Sequence, residues 1–197
     1  MEHSLILYME GALQGWGTEK SSIYYREAAK YPKKRSIIGL LSAALGYSYN
    51  DPRIEELNEK LDIKIKYKYS NKGELVEDFC TAFGDKSFVE SYSYFKDNKK
   101  RNKLIERVNR KNAVKDPIVM RKQYRAKAYY YVEISSNDEE LIEKIRYAID
   151  HPIYPLYLGR KCCVGMIHVL DKGISIEEFQ NILKEHFDNV FFTWRKF

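Results

Sequence analysis

An α+β fold is the class this sequence predicts, and three observations carry it. Segments of strand length with apolar or alternating character recur at residues 4–9, 62–69 and 128–134. Between and after them stand helical segments at 36–46 and from about 138 to 149. A charged, aperiodic stretch at 84–120 then breaks the order, as an insertion into a domain would. The chain's 197 residues suit one medium domain carrying such an insertion.

Residues 4–9 (SLILYM) are an apolar run ended by the turn signal Glu10-Gly11. Residues 11–35 read as loop, with Gly11, Gly15 and Gly17 around Trp16 and a basic stretch behind them. Residues 36–46 (SIIGLLSAALG) are apolar on nearly every side, with Ser36 as N-cap and Gly46 as stop, so this helix is expected to be buried. A second helical piece opens at Asp51-Pro52 and runs to about Lys60. Residues 62–69 (DIKIKYKY) alternate as a half-buried strand does, its lysines turned outward, and 75–83 form a further short strand. From 84 to 120 the pattern is charged and asparagine-rich, with one weak helical patch near Lys103–Val108. Residues 128–134 (AYYYVEI) are a strand. Asn137 or Asp138 then caps an amphipathic helix that places Leu141, Ile145, Ala148 and Ile149 on one face. After Pro152 and Pro155 come the loop LYLGRK and the apolar run CCVGMIHVL. A helix from Ser175 to about Phe187 and a strand over Val190–Trp194 close the sequence.

The order strand, helix, strand, strand, helix, strand is the split βαβ plan, ferredoxin-like, that RRM-type RNA binders share. Four units follow: residues 1–83 as the first half of an RRM-like core, 84–120 as a basic thumb-like insertion, 121–170 as the second half, and 171–197 as a short C-terminal helix and strand.

Composition narrows the function classes. Aromatic residues make up 14% of the chain, which excludes disorder by composition, and 17 of them are tyrosines, offering flat rings and hydroxyls suited to unpaired bases. Net charge is +6, but its distribution says more. Residues 96–127 hold 13 Lys/Arg against three acids, a balance of +10, so the other 165 residues carry −4. Such a segment calls for a polyanionic partner. Three cysteines (Cys80, Cys162, Cys163) make no disulfide framework or zinc spacing; adjacent Cys162 and Cys163 would face opposite sides of a strand. Reduced thiols, no signal peptide and no membrane span point to a soluble cytoplasmic protein.

Four constellations could contact a nucleic acid. Lys33, Lys34 and Arg35 precede Ser36 at a helix start, where free N–H groups and the positive dipole end favour phosphate. In Tyr157-Leu158-Gly159-Arg160-Lys161 a glycine permits close backbone approach, and an arginine can fork onto phosphate or stack on a base. Arg121-Lys122-Gln123-Tyr124-Arg125 interleaves cations with an aromatic; extended, it puts Arg121, Gln123 and Arg125 on one face and Lys122 and Tyr124 on the other. The glycines around Trp16 could lay its ring against a nucleotide, although closing the core is a tryptophan's commoner fate.

Together these strings carry a resemblance. Residues 11–17 (GALQGWG), Arg26, residues 31–46 (YPKKRSIIGLLSAALG), 121–128 (RKQYRAKA) and 155–163 (PLYLGRKCC) resemble, in order and spacing, the CasD (Cas-five) family of CRISPR-associated proteins, with type I-E members the nearest in flavour. Cys162 stands where the family's Tyr-Leu-Gly-Arg-Arg/Lys-Ser-Cys element has serine. The resemblance implies an RRM-like core and a thumb that together grip the 5′ handle of a guide RNA (crRNA) within a Cascade surveillance complex. Its expected partners are that crRNA, the complex's backbone and large subunits, and target DNA indirectly; no membrane and no cofactor are expected. The implied RNA-binding residues are Trp16, Arg26, Lys33, Lys34, Arg35, Ser36, Lys99, Lys100, Arg101, Arg121, Lys122, Tyr124, Arg125, Tyr157, Gly159, Arg160 and Lys161.

Some relatives cut precursor RNA without metal, which needs a base, an acid and a charge stabiliser in close array. Of His3, His151, His168 and His186, only His151, in a loop before Pro152, reads as a candidate base. HExxH, paired-aspartate and nucleotide-cradling glycine motifs are absent, so a non-catalytic clamp is expected. The alternatives are a metal-independent endoribonuclease that processes precursor crRNA, or a basic scaffold protein that binds nucleic acid non-specifically.

Overall fold

The computed structural model describes residues 2–19, 21–22, 24–82 and 118–194, with side chains described for 2–19, 21–22, 24–81 and 119–185. Its elements are β1 (His3–Gln14), β2 (Tyr25–Arg26), α1 (Lys34–Ala44), α2 (Arg53–Lys60), β3 (Asp62–Ile65), β4 (Glu74–Ala82), β5 (Ile118–Ser136), α3 (Glu139–Asp150), β6 (Met166–Val169) and α4 (Ile176–Trp194).

One mixed sheet of six strands is organised around β5. β1 runs antiparallel to it from His3↔Ser136 to Gln14↔Arg125, and β6 lies against the other side of β1. Both β3 and β4 pair antiparallel with β5, at Asp62–Ile65 and Glu74–Ala82 respectively. β2 pairs parallel to β5 at Arg121 and Lys122, just past the end of the β1 ladder. The order β6-β1-β5-β3 therefore forms an antiparallel quartet, and β4 with the first half of β5 extends from it as a hairpin arm that β2 flanks at Arg121 and Lys122.

Alternation along the strands gives the sheet two buried faces. Leu5, Leu7 and Met9 of β1 and Ala128, Tyr130, Val132 and Ile134 of β5 pack against Ile37, Ile38 and Leu41 of α1 and Ile142, Ile145 and Ile149 of α3. On the opposite face Tyr8 and Tyr131 pack against Ile176 and Phe179 of α4, with Leu170 beside them. Tyr8 lies 4.8 Å from Tyr131 and 5.3 Å from Phe179, ring centre to ring centre.

The helix boundaries follow local chemistry. α3 is capped by Asp138, whose carboxylate accepts the Leu141 N–H at 3.0 Å, and Glu139 and Glu140 complement its positive end. α1 stops at Gly46, whose φ of +74° is a left-handed turn that favours glycine.

Several expectations are corrected. Glu10-Gly11 is no turn: β1 continues to Gln14, because β5 offers partners along its whole length. Ser36 is not the N-cap; Lys33 holds that position, its carbonyl accepting from Ser36 and Ile37, and no side chain caps the helix. The strand at 62–69 ends at Ile65, and residues 67–69 turn. Ile118–Met120, expected within the 84–120 stretch, belong to β5, and residues 121–127, expected to lead into the strand at 128, lie inside β5. Cys162 and Cys163 sit in a turn, one exposed and one buried, with sulfurs 4.0 Å apart. The closing strand at 190–194 is helix, the continuation of α4.

Candidate nucleic-acid interface

Three remote segments meet at the end of β1. Gly15 N–H donates to the Leu158 carbonyl at 2.8 Å, and Ala29 N–H donates to the Trp16 carbonyl at 2.8 Å. Gly159 adopts φ +92°, and a Cβ there would lie 2.5 Å from the Gly15 carbonyl oxygen. Its close backbone approach is therefore made to the protein's own 15–16 peptide. These contacts fix the 155–161 loop beside α1.

A hollow of about 280 Å³ results, and its wall includes Arg35, Ser36 and Gly39 of α1, Gly17, and Tyr157 and Gly159 of the loop. Arg35 is exposed and Tyr157 half-buried, so both present polar atoms to solvent at its rim. The uncapped start of α1 lies at the same place and adds the dipole's positive end. A cation and a ring around a concavity at a helix's positive end suit a phosphate and its attached nucleoside.

Arg160 has a different task from the one the sequence suggested. Its guanidinium lies 4.7 Å above the Tyr124 ring and donates to the carbonyls of Gln123 at 2.9 Å and Arg26 at 3.1 Å. It thus staples the loop to β5 and β2. Tyr124, only 5% exposed beneath it, has no open face for a base, and burial raises its hydroxyl pKa above the ordinary value. Arg125 is also buried and donates from Nε to the Ala29 carbonyl at 3.2 Å. Tyr124 and Arg125 thus turn to the protein's own backbone and rings, and Gln123 bonds the Tyr25 hydroxyl and the Ala28 N–H. Trp16 is 1% exposed, its Nε1 donating to Gln14, so its ring is packed into the core at the wall of the hollow.

The remaining candidates spread outward. Arg26 is exposed, its carbonyl held by Arg160. Arg121 lies 3.6 Å from Glu77, and Lys122 is paired in register with Asp78, so acids of β4 offset this part of the basic string. Lys33 bonds Glu19 at 2.8 Å on the surface, which draws that carboxyl below its ordinary pKa. Lys34 faces a separate hollow shared with Glu2, Glu59 and Asp62, away from Arg35. Lys161 is exposed in the turn. Lys99, Lys100 and Arg101 lie outside the described residues.

Sequence reasoning missed Gln14, fully buried, whose Nε2 donates to the Ala128 carbonyl at 2.7 Å while its Oε1 receives the Trp16 indole. A glutamine beside the Gly-Trp-Gly string was the available signal. The histidines stand in separate settings. His3 is 3.9 Å from Glu139, His151 stacks on Tyr147 at 4.4 Å, and His168 stacks on Phe179 at 5.7 Å. The His186 side chain is outside the described set. Burial and the neighbouring Cys162 push the Cys163 thiol up to about 11, which keeps it protonated and inert at neutral pH. Among the described residues no His, Cys, Asp and Glu cluster could hold a metal, and no helix is long and apolar enough to cross a membrane.

A solved structure described as a CRISPR RNA-guided surveillance complex contains a chain similar to this one, with a TM-score of 0.64 and 24% identity over 88% of this chain and 64% of that one. A second, described as a crystal structure of a Cas protein, gives 0.55 and 22% over 88% and 65%. The chain thus spans about two thirds of the length of these structures. At such identities the likeness is one of fold. No curated protein matches significantly. The family model described as CRISPR-associated protein (Cas_Cas5) matches residues 4–196, nearly the whole chain, and the protein belongs to that family.

Proposed function

We propose that this chain is a non-catalytic subunit of a type I-E Cascade surveillance complex and holds the 5′ handle of the crRNA. The observation that carries the reading is the convergence of α1's start, the Gly15–Gly17 segment and the 155–161 loop on one cation-rimmed hollow. Those are the strings that resemble the family, brought together from three parts of the sequence. Family membership and the surveillance-complex neighbour support assembly with other Cascade subunits, in the cytoplasm and with target DNA met through the complex. The antiparallel quartet β6-β1-β5-β3 fits a ferredoxin-like core, and residues 83–117, joining β4 to β5, fit the place of a thumb. A non-enzymatic role fits the scattered settings of the described histidines: His3 lies near Glu139, His168 on Phe179, and His151 on Tyr147, with its Nδ1 3.3 Å from the Tyr147 carbonyl.

Within this reading Arg35, Ser36 and Tyr157 contact the RNA, while Arg160, Tyr124, Arg125 and Trp16 keep the contact surface in shape. Sequence discrimination of the target falls to base pairing, and the protein holds backbone and shape. The test is affinity purification from the native host followed by sequencing of bound RNA. One short RNA class with a uniform 5′ end is the expected product. Purification of the intact assembly free of RNA, or with random cellular RNA, would overturn the proposal.

A further inference from the structure

Gly39 stands in the middle of α1, where glycine weakens a helix relative to alanine. A helical glycine is usually explained by a neighbour pressed against it, yet a Cβ built at Gly39 meets nothing within 4 Å. Its φ is not positive, so no turn requires it. Gly17 shows the same two features. Both line the hollow beside Arg35 and Tyr157, and Gly39 is exposed there. The glycines that do have internal reasons differ: Gly46 and Gly159 combine positive φ with a crowded Cβ position.

From this contrast we infer that Gly39 and Gly17 are specificity-determining residues of the hollow, kept bare so that one nucleotide of a single-stranded RNA lies directly against the backbone of α1. The inference rests on the proposed RNA-holding function and assigns the depth of its contact. Without a Cβ at Gly39 the sugar–phosphate chain can sit closer to the helix than any side chain would permit. Arg35 at the rim then reaches the phosphate, and Tyr157 borders the nucleoside. A protein partner's apolar helix is the competing occupant. The exposed arginine and uncapped helix start favour the anion.

The test uses the full chain and a fluorescent oligoribonucleotide copying the 5′ end of the RNA recovered with the assembly. Gly39→Ala folds into open space and should raise the thermal midpoint by about 2–4 °C, from better helix propensity in a chain of this size. The same variant should bind the oligonucleotide roughly tenfold more weakly, and Gly39→Leu more weakly still, a loss of closeness worth about one decade per 1.4 kcal/mol. A stabilised protein that binds RNA less well is the signature. Wild-type affinity in both variants would overturn the inference and leave the RNA-holding function standing. Unchanged RNA affinity with lost co-purification of protein subunits would assign the hollow to a protein and also overturn it. If the wild-type chain binds no such RNA, the proposed function itself falls, and the inference with it.

Discussion

Arg160 and Arg35 are both cations in basic strings, yet their surroundings separate them. Arg160→Ala removes two hydrogen bonds to carbonyls and a ring contact in a half-buried site, and should cost about 2–3 kcal/mol of stability by chemical denaturation. Arg35→Ala, exposed at the rim, should leave stability within about 0.5 kcal/mol and weaken RNA binding by roughly 1–3 kcal/mol in an anisotropy titration. Equal stability losses in the two variants would refute this division. The sequence reveals that a residue is a cation but not whether its partner is a phosphate or the protein's own carbonyl, because the partner lies 134 residues away for Arg160 and Arg26. Tyrosine gives a pH prediction at the same scale. Burial pushes Tyr130 and Tyr131 up to about 12, and Tyr8, also beside Glu10, higher still, from an ordinary value of 10.0. A raised phenol pKa stabilises the fold fully below about pH 10, and that stability is lost as pH climbs toward 12. Thermal melts across this range should show the midpoint falling; a constant midpoint would contradict the burial of these phenols.

At the level of elements, segments with caps and clear periodicity were legible. The Asp138 cap, the apolar α1 with its Gly46 stop, and β4 all lie where their residues imply. Asp138→Ala should cost about 1 kcal/mol, measured by urea unfolding. Legibility failed where long-range pairing decided. β5 extends through a basic string with no strand alternation of its own, because β4, β2 and β1 supply its ladder. Residues 190–194 are rich in β-formers and yet continue α4, the context overriding propensity. The arm gives a further expectation. Ala82 and Ile118 are register partners, so an Asn-Gly turn replacing residues 83–117 can close the β4–β5 hairpin. That variant should keep the circular dichroism and cooperative melting of the core while binding RNA more weakly; global unfolding would show the segment to be part of the core.

For the whole molecule, the decisive feature is which surfaces the fold leaves open. Tyrosine rings suit unpaired bases, but α4 covers Tyr8 and Tyr131, and the opposite face of the sheet holds the core. The hollow between α1, the Gly15–Gly17 segment and the 155–161 loop was legible as separate strings, whereas its depth and the inward turn of Tyr124 and Arg125 were not. The central claim, that this surface holds one end of a specific RNA, meets its most direct test in a salt titration. Binding of the recovered 5′-end oligonucleotide and of a scrambled copy would be compared at each salt concentration. Neutralising about four to six phosphates predicts a log–log slope near −3 to −4, with the authentic sequence bound more tightly throughout. Equal affinity for both RNAs at matched salt, or a slope near zero, would contradict the account.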